Sequence, residues 1–127
     1  LAECYLLSLG IPVWQEEKIA LAGIAKYFSP GHIVFTDRDG GKTAALQELF
    51  GDAFDGTDAV LFNDRPEESA ELLAAYPKLR VFIRRDRRDM RYQREEQWQD
   101  IQKKFSDRVV IADDIVELFR QFSLSYL

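Results

Sequence analysis

Apolar and polar residues alternate along the chain in blocks, and these blocks predict strands and helices in turn. The clearest strand signal is Val60-Leu61-Phe62, a short apolar run typical of a strand that is covered on both faces. Asn63 and Asp64 end this run. Pro66 suits the first turn of a helix, because the N–H that proline lacks would have no partner there. Residues 58–68 therefore predict a buried strand, an acidic turn and a helix.

The same pattern predicts five strands and six helices over the whole chain. The predicted strands are residues 11–14, 32–35, 59–62, 79–83 and 108–112. The predicted helices are residues 1–9, 15–28, 42–50, 66–76, 92–105 and 115–122, the last capped by Asp113 or Asp114. Such alternation favours an α/β fold, a three-layer Rossmann-like parallel sheet with helices on both faces. We expect one domain over residues 1–127, with Trp14, Trp98, Phe119 and Phe122 in its core.

Composition narrows the classes of protein and site that the chain fits. Hydrophobic residues make up 46%, and no stretch approaches the roughly 20 apolar residues that span a membrane. Residues 1–9 have no basic lead and no cleavage site, so we expect no secretory signal. Cys4 is the one cysteine, and a cytoplasmic location is expected. With His32 as the one histidine, a zinc site is not expected.

The net charge of −5 conceals a basic segment. Residues 78–94 carry eight basic and two acidic residues, a net charge of +6, while the remaining residues carry −11. Six arginines form what we call the basic patch: Arg84, Arg85, Arg87, Arg88, Arg91 and Arg94. The basic patch would suit an anionic partner. The alternative is a solvated loop whose arginines pair with Asp86, Asp89, Glu95 and Glu96. No aromatic residue interleaves with the arginines 84–88, so nucleic acid is not an expected partner.

Three segments resemble the core of the haloacid dehalogenase (HAD) superfamily. Tyr27-Phe28, a strand, a polar loop and Lys42 at a helix start resemble the second half of that core. The 22-residue step from Lys42 to Asp64 is also similar. The run Val60 to Glu68 is similar to the family's fourth motif, an acidic strand end that holds Mg²⁺. Residues 109–119 resemble its closing strand and helix.

The resemblance implies a Mg²⁺-dependent phosphate-ester hydrolase that acts on a small phosphorylated substrate through an aspartyl phosphate. Such chemistry needs a carboxylate nucleophile, a hydroxyl on the phosphate, a lysine that neutralises charge, and acids that fix the metal. Lys42 matches the lysine. Asp64 matches the metal ligand, and Glu68 is the candidate for its second acid. We expect Lys42 and Asp64 to converge on one pocket.

The nucleophile and the hydroxyl, which belong to the family's first two motifs, have no match at the expected places. The nucleophile would lie in a D-x-D turn before the helix predicted over residues 1–9, so the family's first strand is expected to be absent. The hydroxyl would end the strand predicted over residues 11–14, which Gln15 follows. The hydrolase is therefore incomplete or inactive, or the chain is a non-catalytic binding module that uses the basic patch. A sheet without its first strand would also expose an edge that favours self-association.

Simpler interpretations of the two matched residues stay open. Asp64 would then cap the helix that follows it, and Lys42 would be a solvated turn lysine. Gly40-Gly41 before Lys42 would let the backbone approach an anion closely, although the full spacing of a phosphate-binding loop is missing.

Overall fold

The structure is a computed structural model that describes residues 3–9, 12–36 and 41–126. Over these ranges it is an α/β fold in which strands and helices alternate, as predicted. The strands are β1 (Leu6–Leu9), β2 (Ile33–Thr36), β3 (Val60–Asn63), β4 (Arg80–Arg84) and β5 (Val109–Ala112). The longer helices are α1 (Pro12–Ala22), α2 (Gly41–Phe50), α3 (Pro66–Ala75), α4 (Glu95–Lys104) and α5 (Ile115–Tyr126).

The chain divides into two compact units, Leu1–Phe54 and Asp55–Leu127. In the first unit, β1 and β2 form a parallel pair, and in the second, β3, β4 and β5 form a parallel sheet in that order. The α/β class with parallel strands is thus confirmed. The described strands form two sheets where one was predicted, while the three-layer arrangement and the single domain over residues 1–127 stay predictions.

The predictions for the N-terminal segment were wrong. Leu6–Leu9 is a strand and not part of a helix, and Pro12–Ala22 is a helix where residues 11–14 were predicted to be a strand. Short apolar runs do not distinguish a strand from a buried helix, and proline is favourable at a helix start. The helix predicted over residues 15–28 ends at Ala22, and a 3₁₀ turn, Ala25–Tyr27, follows.

The first unit is tied together where its two strands begin. The His32 and Tyr5 rings stack with centroids 4.0 Å apart, and His32 Nδ1 donates to the Cys4 carbonyl at 3.0 Å. The predicted helix at residues 42–50 is confirmed as α2, which buries Ala45 and Leu46.

The second unit is built on β4, whose Val81, Phe82 and Ile83 are almost fully buried. Helices α3 and α4 connect neighbouring parallel strands in sequence, which places both on one face of the sheet when the crossovers are right-handed. On the face that Phe82 shares with Phe62, α5 packs its aromatic residues. The Phe62 ring lies 5.2 Å from that of Phe82 and 4.8 Å from that of Phe119.

Strand and helix predictions from residue 32 onward were confirmed, with every end within four residues of its predicted position. Trp98 is buried as expected and Phe122 is half-buried, but Trp14 and Phe119 are exposed, so their assignment to the core was wrong. Across the described ranges, none of the helices is long and apolar enough to cross a membrane.

Candidate functional site

The carboxyl end of β3 and the first turn of α3 are held together by a buried polar cluster. Asn63 Nδ2 donates to Ser69 Oγ at 2.9 Å and to Glu68 Oε1 at 3.1 Å. Ser69 is fully buried, and its hydroxyl donates to the Arg65 carbonyl at 2.7 Å. Because buried polar groups cost free energy unless they are paired, this cluster fixes the path of the chain through the turn.

Asp64 lies in this turn with an exposed side chain. No hydrogen bond or ion pair joins its carboxylate to another residue of the described ranges. The N-cap position of α3 is Arg65, and no side chain caps it. The interpretation of Asp64 as a helix cap is therefore wrong. Its two oxygens face solvent at the end of a parallel strand, the part of an open α/β sheet where ligands bind.

A turn that contains Asp89 and Arg91 lies near Asp64. Asp89 accepts hydrogen bonds from the backbone N–H of Arg91 at 3.0 Å and from its side-chain Nε and Nη2 at 3.1 and 2.9 Å. The side-chain hydrogen bonds to Asp89 and the charge of Asp89 raise the pKa of Arg91, and Asp64 adds a smaller electrostatic contribution. Asp89 compensates the charge of Arg91 locally, so the electrostatic effect of Arg91 at Asp64 is small.

Glu68 is half-buried and is positioned by Asn63. Beside it lies a hollow of about 190 Å³, lined by Arg65, Glu67, Glu68, Glu71 and Tyr92. No group of three or more His, Cys, Asp or Glu side chains within the described parts of the chain could hold a metal ion. Mg²⁺ is commonly held by one or two carboxylates with water and phosphate oxygens completing its shell. Asp64 and Glu68 are carboxylates of the kind that this mode uses, and their joint binding of Mg²⁺ stays a prediction.

Lys42 is the second residue of α2 and is half-buried. Gly41, which begins the helix, has a φ of +50°, a conformation that favours glycine. The polar loop predicted before it, including Gly40, lies outside the described residues. Lys42 belongs to the first unit and Asp64 to the second, so their convergence on one pocket stays a prediction.

Ser8 is a hydroxyl-bearing residue that the sequence analysis placed in a helix. It lies in β1, half-buried, with Phe35 of β2 as its register partner. The parallel pairing puts the carboxyl ends of β1 and β2 at one edge of the sheet, and α2 is the element that follows β2. A strand at residues 6–9 followed by Pro12 at a helix start would have revealed this hydroxyl.

The arginines of the basic patch are all paired with acids. Arg84 and Arg88 pair with Asp86, Arg91 with Asp89, and Arg94 with Glu96. Arg85, which is only 5% exposed, pairs with Glu95 at 2.6 Å. The predicted pairing with Asp86, Asp89, Glu95 and Glu96 is confirmed, and Asp113 adds an unpredicted partner for Arg87 at 3.1 Å. Since these acids compensate the charge locally, nothing here favours the alternative of a binding module, which stays a prediction.

No protein-family model, curated protein or solved structure matches the chain. The HAD core therefore stays a resemblance, carried by Lys42, by the run Val60 to Glu68 and by residues 109–119.

Proposed function

We propose that the chain is an HAD-like domain of the Mg²⁺-dependent phosphate-ester hydrolase type, whether active or inactive. The observation that carries the proposal is the Asp64 carboxylate. It is exposed and unpaired among the described residues, and it stands at the carboxyl end of a parallel strand in a turn that Asn63 and Ser69 hold rigid. A rigid turn with an unengaged carboxylate is suited to a metal ligand, because little conformational freedom is lost on binding.

Each proposed role follows from the chemistry of the side chain. Asp64 would hold Mg²⁺, with Glu68 as its second acid, and the metal would neutralise charge that develops on a phosphoryl group. Lys42 would neutralise a phosphate oxygen at the N-terminus of α2, where backbone N–H groups also favour anions. Ser8, at the second-last position of β1, would supply the hydroxyl of the family's second motif in place of the position sought after residue 14. We assign no nucleophile among the described residues.

Metal binding tests the proposal independently of activity. Titration calorimetry with Mg²⁺ is expected to show binding to the parent chain that Asp64→Asn weakens at least tenfold, because the substitution removes the ligand's charge. Asp107→Asn is the matched control, since Asp107 is exposed and precedes β5 at the opposite end of the sheet. Equal Mg²⁺ affinities in the parent and in Asp64→Asn would refute the role of Asp64.

Hydrolysis of p-nitrophenyl phosphate with and without Mg²⁺ tests the catalytic part. Any activity of the parent is expected to require Mg²⁺ and to be lost in both Asp64→Asn and Lys42→Ala. Lys26→Ala is the control for the lysine, because Lys26 is exposed in the 3₁₀ turn after α1. Mg²⁺-dependent activity that survives Lys42→Ala would remove that lysine from the proposed site.

A further inference from the structure

Helix α1 leaves large apolar side chains in solvent. Trp14 is 62% exposed and Leu21 is 86% exposed, whereas the buried apolar residues of the first unit's described part are Ala45 and Leu46. The first unit thus presents apolar surface without a core of comparable size, and such surface marks interaction sites.

Most described side chains of α1 are exposed, and four of them share one face. Trp14, Glu17, Lys18 and Leu21 are spaced i, i+3, i+4 and i+7, so they share a face. Gln15 and Ile19, which are half-buried, lie beside this face. No ion pair within the described ranges involves Glu17 or Lys18. We call these four residues the α1 stripe.

We propose that the α1 stripe is a homodimer interface, in which α1 packs antiparallel against α1 of a second copy of this chain. A twofold axis between residues 17 and 18 would set Trp14 against the partner subunit's Leu21, and Glu17 against the partner subunit's Lys18. Both contacts would occur twice, as a twofold interface requires. The stripe is therefore complementary to itself in its charges and in its apolar ends, and this self-complementarity favours a second copy over an unrelated partner.

The orientation follows from the same four residues. Parallel packing in register would place Glu17 against Glu17 and Lys18 against Lys18 of the second copy, and like charges in contact repel. Antiparallel packing replaces both repulsions with attractions. Because one helix of 11 residues buries a small area, we expect a weak, concentration-dependent dimer.

Sedimentation equilibrium of the whole chain between about 10 and 500 μM tests the interface. A monomer–dimer equilibrium is expected. K18E and E17K are each expected to weaken it about tenfold, because each creates like-charge contacts in place of ion pairs. The double variant E17K/K18E restores both opposite-charge contacts and is expected to return to within about threefold of the parent.

A matched pair of leucine variants tests the location. L21E is expected to leave the chain monomeric, while L124E, at a leucine of α5 that is 72% exposed, is expected to leave the dimer unchanged. Far-UV circular dichroism confirms that each variant is folded. The proposal is overturned if the parent is monomeric at every concentration, if L124E disrupts the dimer as much as L21E, or if folded E17K/K18E remains as weak as its single variants.

Discussion

At the scale of single residues, the Arg85–Glu95 ion pair is the electrostatic contact of the second unit that we expect to matter most for stability. Arg85 is buried above the Trp98 ring, 5.1 Å from its centroid, and its Nε atom has no hydrogen-bond partner. Its Nη2 donates to Glu95 at 2.6 Å. A buried cation with one carboxylate partner depends on that partner, because losing it leaves a desolvated charge uncompensated.

We therefore expect Glu95→Gln to lower the melting temperature much more than Glu96→Gln. Glu96 is the neighbouring control, since it pairs with Arg94 where both side chains are 82% exposed, and such pairs contribute little. Thermal unfolding at pH 7 measures both variants. If Glu96→Gln lowered the melting temperature as much as Glu95→Gln, the burial of Arg85 would not be the cause of the effect.

The same pair predicts a pH dependence. The hydrogen bond from Arg85 lowers the pKa of Glu95 below its ordinary value of 4.5. The stabilisation is therefore present above about pH 4.5 and is lost as the pH falls through the folded-state pKa. The difference in free energy of unfolding between the parent and Glu95→Gln is expected to shrink as urea unfolding is repeated at pH values below 4.5.

Gly56 supplies a steric prediction at the same scale. Its φ is +92°, and a Cβ added there would lie 2.2 Å from the backbone nitrogen of Leu79. Gly51 has a similar φ of +86° with nothing within 4 Å of such a Cβ. Gly56→Ala should cost about 3 kcal/mol of the free energy of unfolding of the second unit, and Gly51→Ala, which lies in the first unit, should cost at most about 1 kcal/mol. Similar losses in urea unfolding of the two variants would show that the close approach to Leu79 is not the cause.

At the scale of elements, one arginine secures the end of α3. Arg108 Nη1 donates to the carbonyls of Tyr76 and Leu79 at 2.9 and 3.1 Å, and Nη2 donates to Leu73 at 3.0 Å. Carbonyls in the last turn of a helix lack partners within the helix, so these bonds cap α3 and tie it to the start of β5.

Arg108→Met should lower the free energy of unfolding by about 2 kcal/mol, since it removes charged hydrogen bonds to half-buried carbonyls. Methionine keeps an unbranched apolar side chain at the position. Arg120→Met, which removes an exposed arginine bonded to Glu117, is the control and should change stability little. Chemical unfolding followed by circular dichroism measures both. Equal effects would indicate that the carbonyl contacts are not the source of the stability.

The elements also show where pattern-based prediction succeeded. β3, α3 and β4 were predicted closely because an apolar run, Pro66 and Pro77 mark their boundaries locally. Residues 6–22 were predicted wrongly because Leu6 to Leu9 fits either period over so few residues. With that error, Ser8 was not recognised at the strand.

At the scale of the whole molecule, the two units differ in how much core they hold. Of the fourteen buried apolar residues among those described, twelve lie in the second unit, and the other two are Ala45 and Leu46. Hydrophobic burial is the dominant favourable contribution to folding, so stability should be concentrated in Asp55–Leu127.

We expect the isolated segment 55–127 to unfold cooperatively and the isolated segment 1–54 to lack a cooperative transition. Calorimetry of each segment measures this directly. A sharp transition in segment 1–54 at micromolar concentration would contradict the expectation, unless it depended on concentration as the proposed dimer does.

The sequence by itself determined the alternation of strands and helices from residue 32 onward, the acidic turn at Asp64, and most partners of the basic patch. These features depend on local patterns, or on charges close together in the chain. Tertiary structure alone decided that the strands form two sheets, that Arg85 is buried while its neighbours are exposed, and that Asp113 binds Arg87. Each of these depends on contacts between residues far apart in sequence, which a local pattern does not encode.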